Sequence, residues 1–173
     1  MKKIRLSILI ILFALMFVTH VWAAGSSISI SGDSVIRSPV LDRYVFRVIT
    51  IIFTADDATG AIPDLTLNAA TTGLAYGSPA GWFGYSVFID CNHAGVEPTE
   101  DSELYILNAV GGDMLGGQGV NQVDNTIERH VYFHNGTAPV KQPMIDTWTV
   151  RITQQAAATN SATGTIKIIL VSD

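Results

Sequence analysis

Residues 147–153 read Thr-Trp-Thr-Val-Arg-Ile-Thr, an alternation with a period of two. Successive side chains of a strand point to opposite faces, so Trp148, Val150 and Ile152 share one side and Thr147, Thr149, Arg151 and Thr153 the other. Wound into a helix, the same residues would scatter their apolar groups around the axis. This segment can bury its apolar side only as a strand with one dry and one wet face. The end of the chain repeats the arrangement, with Ile166, Ile168 and Leu170 alternating with Thr165 and Lys167. Beyond the first 23 residues no long stretch shows helical periodicity, and the chain is expected to be all-β.

Further strands are expected at residues 26–31, 64–69, 83–90, 103–107 and 127–134, each bounded by Gly, Asn, Asp, Pro or Ser clusters. Residues 43–54 (RYVFRVITIIFT) are apolar on both faces in their second half. That pattern marks a strand central to a sheet or covered on both sides. Roughly eight strands with turns between them predict a two-sheet antiparallel β-sandwich, jelly-roll-like, formed by a single domain over residues 24–173. Asn135-Gly136 is a tight-turn signal, because both residues tolerate positive φ. Asn135-Gly136-Thr137 is formally also a glycosylation sequon, but the turn reading is preferred.

The first 23 residues have a basic head (Lys2, Lys3, Arg5), an apolar run over residues 6–18, and Val21-Trp22-Ala23 as a small-residue cleavage signature. This is the pattern of a secretory signal peptide. The run falls short of the ~20 residues that cross a bilayer, so export without a stable membrane span is expected. Removing it leaves 150 of the 173 residues, with seven basic against fifteen acidic side chains and a net charge of −8. That sign argues against nucleic acid as a partner. Cys91 is the only cysteine; it excludes an internal disulfide and reads as a small buried hydrophobe, with an intermolecular bridge as the alternative.

Residues 110–121, VGGDMLGGQGVN, invite comparison with ligand-binding loops. A phosphate-binding loop needs Lys and then Ser or Thr after its glycines, whereas Gly117 and Gly119 are followed by Val120 and Asn121. Glycine-rich calcium turns work as tandem copies sharing ions, and this chain has one copy. Asn108 and Asp113 are the only acidic or amide side chains from residue 107 to residue 114, too few for an oxygen cage. Gly111, Gly112, Asp113, Gly116, Gly117, Gly119 and Asn121 are therefore read as a structural loop. Residues 108–112 should turn tightly, Met114 and Leu115 should tuck onto the core, and the later glycines should allow close backbone passage.

The run PTEDSELYILNAVGGDMLGGQGVNQVDNTIE, residues 98–128, resembles a recurring segment in small all-β proteins from the structural-gene clusters of tailed phages and prophages. There the pattern is Pro-Thr-Asp-x-Tyr-Asp, an alternating strand, then Asp-x-x-Gly-x-Asp-x-Leu-x-Gly-x-Gly-x-Asn and a later Glu. Pro98, Thr99, Gly111, Asp113, Leu115, Gly117, Gly119, Asn121 and Glu128 fall in register without a gap. Ser102 stands in place of the Tyr and Asn108 in place of the first Asp. The resemblance implies an all-β fold and a noncatalytic role like that of virion accessory subunits.

No other constellation points to catalysis. His130 and His134 would share a metal on a helix, but along a strand they stand about 13 Å apart. Glu128, His130, Tyr132 and His134 are expected to form a solvated face or a subunit contact. Cys91 and His93 lack a third group to orient them as nucleophile and base. Trp82, Tyr85 and Trp148 are candidate binding aromatics if exposed, and core residues otherwise. The chain is expected to be a noncatalytic, exported structural or assembly protein that self-associates or joins other protein subunits and needs no cofactor. A secreted carbohydrate- or protein-binding module is the alternative.

Overall fold

The computed structural model describes residues 25–37, 45–56, 59–91, 102–123, 127–153 and 161–172. Residues 1–23, His93, Pro98 and Thr99 lie outside them. The described residues contain nine strands and no helix: β1 (Ser27–Arg37), β2 (Val45–Thr54), β3 (Leu65–Leu67), β4 (Phe83–Cys91), β5 (Glu103–Leu107), β6 (Arg129–Tyr132), β7 (Gln142–Pro143), β8 (Trp148–Thr153) and β9 (Thr163–Val171). The larger sheet runs β1-β2-β9-β4-β6, with the two-residue β7 also pairing with β4; the smaller runs β3-β8-β5. Every pairing is antiparallel. The described residues form an all-β, two-sheet antiparallel sandwich.

Period two places the core. Trp148, Val150 and Ile152 of β8 are buried and Arg151 is exposed, while Ile166, Ile168 and Leu170 of β9 are fully buried. They meet Ile49, Ile51 and Phe53 of β2, Val87 and Ile89 of β4, and Leu104 and Ile106 of β5 in one cluster. Burying each such side chain contributes about 1.5–3 kcal/mol, which replaces the disulfide that a lone cysteine cannot make. β2 is an interior strand, yet its outer side is uncovered, since Ile52 is exposed. Its double-sided apolar pattern therefore reflects the surface of the sheet. β1 is longer than the alternation of residues 26–31 suggests, because a bulge between Ile30 and Gly32 carries pairing on to Arg37. β7 contains Pro143 and is too short to show periodicity.

One charged pair is sealed inside. Arg47 Nε donates to Asp33 Oδ1 at 2.9 Å and Arg47 Nη2 to Asp33 Oδ2 at 2.8 Å, with neither side chain exposed. The same guanidinium donates to the carbonyls of Ser78 at 3.1 Å and Gly77 at 2.7 Å, and the Tyr76 amide donates to Asp33 Oδ2 at 3.0 Å. Two strands and the loop before β4 are thus tied at one buried point, and the hydrogen bonds offset the desolvation of both charges.

Candidate functional site

The glycine-rich loop acts on the sheet edge. Residues 113–123 run beside β5: Met114 N–H donates to the Ile106 carbonyl at 2.7 Å, Leu104 N–H to the Gly119 carbonyl at 2.9 Å, and Val123 N–H to the Ser102 carbonyl at 3.0 Å. Exposed edges invite unwanted strand addition, and this segment covers one. Gly119 is required because a Cβ there would collide with the Leu104 carbonyl. The loop's amides already hold an anion, since Asp113 accepts from Leu115 N–H at 3.0 Å and Gly117 N–H at 2.8 Å. Asn108 Oδ1 likewise accepts from Val110 and Gly112 N–H, at 3.1 and 2.8 Å, closing the 108–112 turn. Met114 and Leu115 are buried in the core.

The outer face of the larger sheet is a different surface. Phe46 of β2, Tyr85 and Phe88 of β4, and His130 and Tyr132 of β6 form a continuous row of rings. Phe46 and Tyr85 meet edge to face with centroids 6.4 Å apart, and Tyr85 meets Tyr132 at 5.7 Å. Tyr132 lies 4.8 Å from the His130 ring, and His130 is 6.4 Å from Phe88. The Lys167 ammonium sits 5.4 Å over Phe88. Tyr85 and Tyr132 remain 41% and 40% exposed, and Ile52 and Ile36 widen the apolar area. Ser86, on the same face opposite Tyr132 and Ile169, is fully buried. Depressions of about 220 and 210 Å³ flank Tyr132, and Pro139 lines both.

The smaller sheet's outer face is polar. Tyr105 donates to Glu103 Oε2 at 2.7 Å, and Thr153 donates to the same oxygen at 3.0 Å. That hydrogen bond first, then burial and the charges of Glu103 and Asp113, hold the Tyr105 phenol above its ordinary value. Arg151 and Asp64 pair at 2.6 Å in the open, and the hydrogen bond to Asp64 raises the Arg151 guanidinium further above its ordinary range. The outer faces of the two sheets therefore differ in chemistry, one dominated by aromatic rings and the other by hydrogen-bonded polar groups.

The candidate aromatics separate. Trp148 is 1% exposed and packs on Phe133 with centroids 5.2 Å apart, so it is a core residue. Trp82 is half-buried, with the Arg47 guanidinium 5.9 Å over its ring. Only Tyr85 joins the outer row. His130 and Tyr132 are exposed there, while the half-buried His134 accepts from the Gly136 amide at 3.0 Å. Among the described residues no three His, Cys, Asp or Glu converge as a metal cage, and no helix is long and apolar enough to cross a membrane. At one end of the sandwich a cleft of about 540 Å³ has Met114 and Trp148 in its lining and Val110 and Ile145, 91% and 80% exposed, on its rim.

Comparison with family models, curated proteins and solved structures finds no match.

Phe46 and Phe88 escaped the sequence reading as surface residues, although parity carries the signal. Val87 and Ile89 face inward, which leaves Phe88 outward. Tyr85 breaks that parity through a bulge between Gly84 and Ser86. Gly84 marks the spot, because a Cβ there would strike the Phe133 and Trp148 rings at 2.7 and 2.8 Å.

Proposed function

We propose that this chain is a noncatalytic, exported structural or assembly subunit that self-associates through the outer face of its larger sheet. The observation that carries the reading is the contrast between the two outer faces. One bears hydrogen-bonded polar groups; the other bears a chain of ring contacts from Phe46 through Tyr85, Tyr132 and His130 to Phe88, with Ile36 and Ile52 exposed on the same face. Contiguous apolar surface of that kind marks a contact site, and aromatic side chains are enriched in the buried centres of interfaces. The resemblance of residues 98–128 to segments of phage structural-cluster proteins supports the same class of role. So does the basic-headed apolar leader for export.

Sedimentation of the chain lacking residues 1–23, over a range of concentrations, tests this reading. The expected result is a concentration-dependent oligomer that persists with chelator and without sugar. A monomer at every concentration overturns it.

A second reading, a secreted carbohydrate- or protein-binding module, is favoured by the depressions flanking Tyr132. Tyrosine rings stack on sugar faces, and Gln118, Gln122, His130 and Lys141 bring hydrogen-bonding groups to the two hollows. Tyrosine-to-serine variants at positions 85 and 132 that leave binding to a glycan array unchanged would remove it.

A further inference from the structure

We infer that Asn135 is a self-modification site, whose side-chain amide is converted to aspartate and isoaspartate by groups the fold assembles around it. Three contacts carry the inference. The Gly136 backbone N–H donates to His134 Nδ1 at 3.0 Å. Asn135 Oδ1 accepts from the backbone N–H groups of Thr137 and Ala138, each at 2.9 Å. Asn135 and Gly136 are both exposed, and Gly136 has φ 89° with open space where a Cβ would project. The following residue therefore offers no steric obstacle to ring closure.

Each contact answers one requirement of the reaction. The nucleophile is the Gly136 nitrogen, which is inert until it gives up its proton, and His134 Nδ1 is already on that proton as a general base. The nitrogen bonds to Asn135 Cγ and closes a five-membered ring. Charge develops on Oδ1 as it does, facing two backbone N–H donors as in an oxyanion hole. Collapse of the tetrahedral intermediate breaks the Cγ–Nδ2 bond, the imidazolium returns its proton to the leaving nitrogen, and ammonia departs. Water then opens the succinimide at either carbonyl. The net change is one water consumed and one ammonia released, with neither oxidant nor reductant involved.

The surrounding fold holds this arrangement in place. Asn135 N–H donates to the Ala138 carbonyl at 3.2 Å and His134 N–H to the Met114 carbonyl at 3.1 Å. Gly116, with φ 57°, lies so close beneath the turn that a Cβ there would come within 2.8 Å of both Gly136 N and His134 O. One glycine of the edge-covering loop thus buttresses the base and the nucleophile. Such positioning is what turns a slow local reaction into a faster one. The product places a new carboxylate in the chain between His134 and Pro139, both of which line the depression shared with His130 and Tyr132.

The test is mass spectrometry of the tryptic peptide covering residues 130–141, HVYFHNGTAPVK, after incubating the folded full chain at neutral pH in heavy-oxygen water. One heavy oxygen should enter at Asn135, in both aspartyl and isoaspartyl forms. The folded chain should react on the order of tenfold or more faster than the same segment as a free synthetic peptide. His134→Gln keeps a hydrogen-bond acceptor but removes the base, and should drop the rate to that of the peptide with the thermal midpoint unchanged. Denaturing the parent chain in urea supplies the same comparison without a substitution and should also abolish the acceleration. A folded chain no faster than the peptide, or a folded His134→Gln variant as fast as its parent, overturns the proposal.

Discussion

Asp33 and Arg47 form a two-pronged ion pair, at 2.9 and 2.8 Å, that is wholly shielded from solvent. They are diagonal neighbours on the inner face of β1 and β2, since Asp33 pairs with Ile49 and Val35 with Arg47. Removing one member strands the other as an uncompensated buried charge. Asp33→Leu or Arg47→Met alone should therefore lower the unfolding free energy by about 3–5 kcal/mol. The double variant Asp33→Leu, Arg47→Met should be less damaging than either single change, because it removes both desolvated charges together. Urea denaturation of the four chains measures the coupling.

Gly117 and Gly119 are both glycines of the edge-covering loop, for different reasons. Gly117 has φ 81° and open space around it, so Gly117→Ala should incur only the left-handed penalty of about 1–2 kcal/mol. A Cβ at Gly119 meets the Leu104 backbone, which cannot swing aside as a side chain does. Gly119→Ala should cost about 1–3 kcal/mol or more and lift the loop from β5. Hydrogen exchange separates the two: the Leu104 and Met114 amides should exchange faster in Gly119→Ala and not in Gly117→Ala.

Tyr105 ties stability to alkaline pH. Its phenol is held above the ordinary value near 10 by its hydrogen bond to Glu103, then by burial and the nearby carboxylates. A raised phenol favours the neutral form in the folded chain. Its contribution is thus fully present below the unfolded value and is lost as pH rises through the folded one. The stability difference between the parent and Tyr105→Phe should be constant up to about pH 9 and shrink above about pH 10. Urea midpoints across that range measure it.

Strand positions were legible where one periodic signal decided them. Trp148, Val150 and Ile152 had to share a face, and they lie in the core. In the glycine loop, the tight 108–112 turn and the inward placement of Met114 and Leu115 were legible from the glycines and the apolar pair. Its function as an edge cover was not, since bonds such as Leu104 to Gly119 join residues that no local pattern relates. The Asp33–Arg47 pair was hidden for the same reason: fourteen residues apart, it exists only once β1 and β2 pair. The aromatic face was half legible, because parity assigns Phe88 and Tyr132 outward while the bulge that turns Tyr85 out is a backbone event.

The contrast between the two outer faces leads to a prediction that separates association from folding. Ile52 is exposed on the outer face of the larger sheet, two residues before the end of the interior strand β2 and opposite Ser29 and Thr165, and belongs to none of the ring contacts. A lysine there stays solvated in the monomer, so Ile52→Lys should leave the unfolding free energy within about 1 kcal/mol of the parent. In an oligomer joined through this face, the same ammonium is forced into a desolvated apolar contact, and association should weaken by about tenfold or more. Thr149→Lys is the matched control, because Thr149 lies on the polar outer face of the smaller sheet, opposite Thr66 and Leu107. Sedimentation equilibrium of the two variants at matched concentrations should show loss of oligomer for Ile52→Lys alone. Equal loss in both would mean that added charge rather than the aromatic face governs assembly.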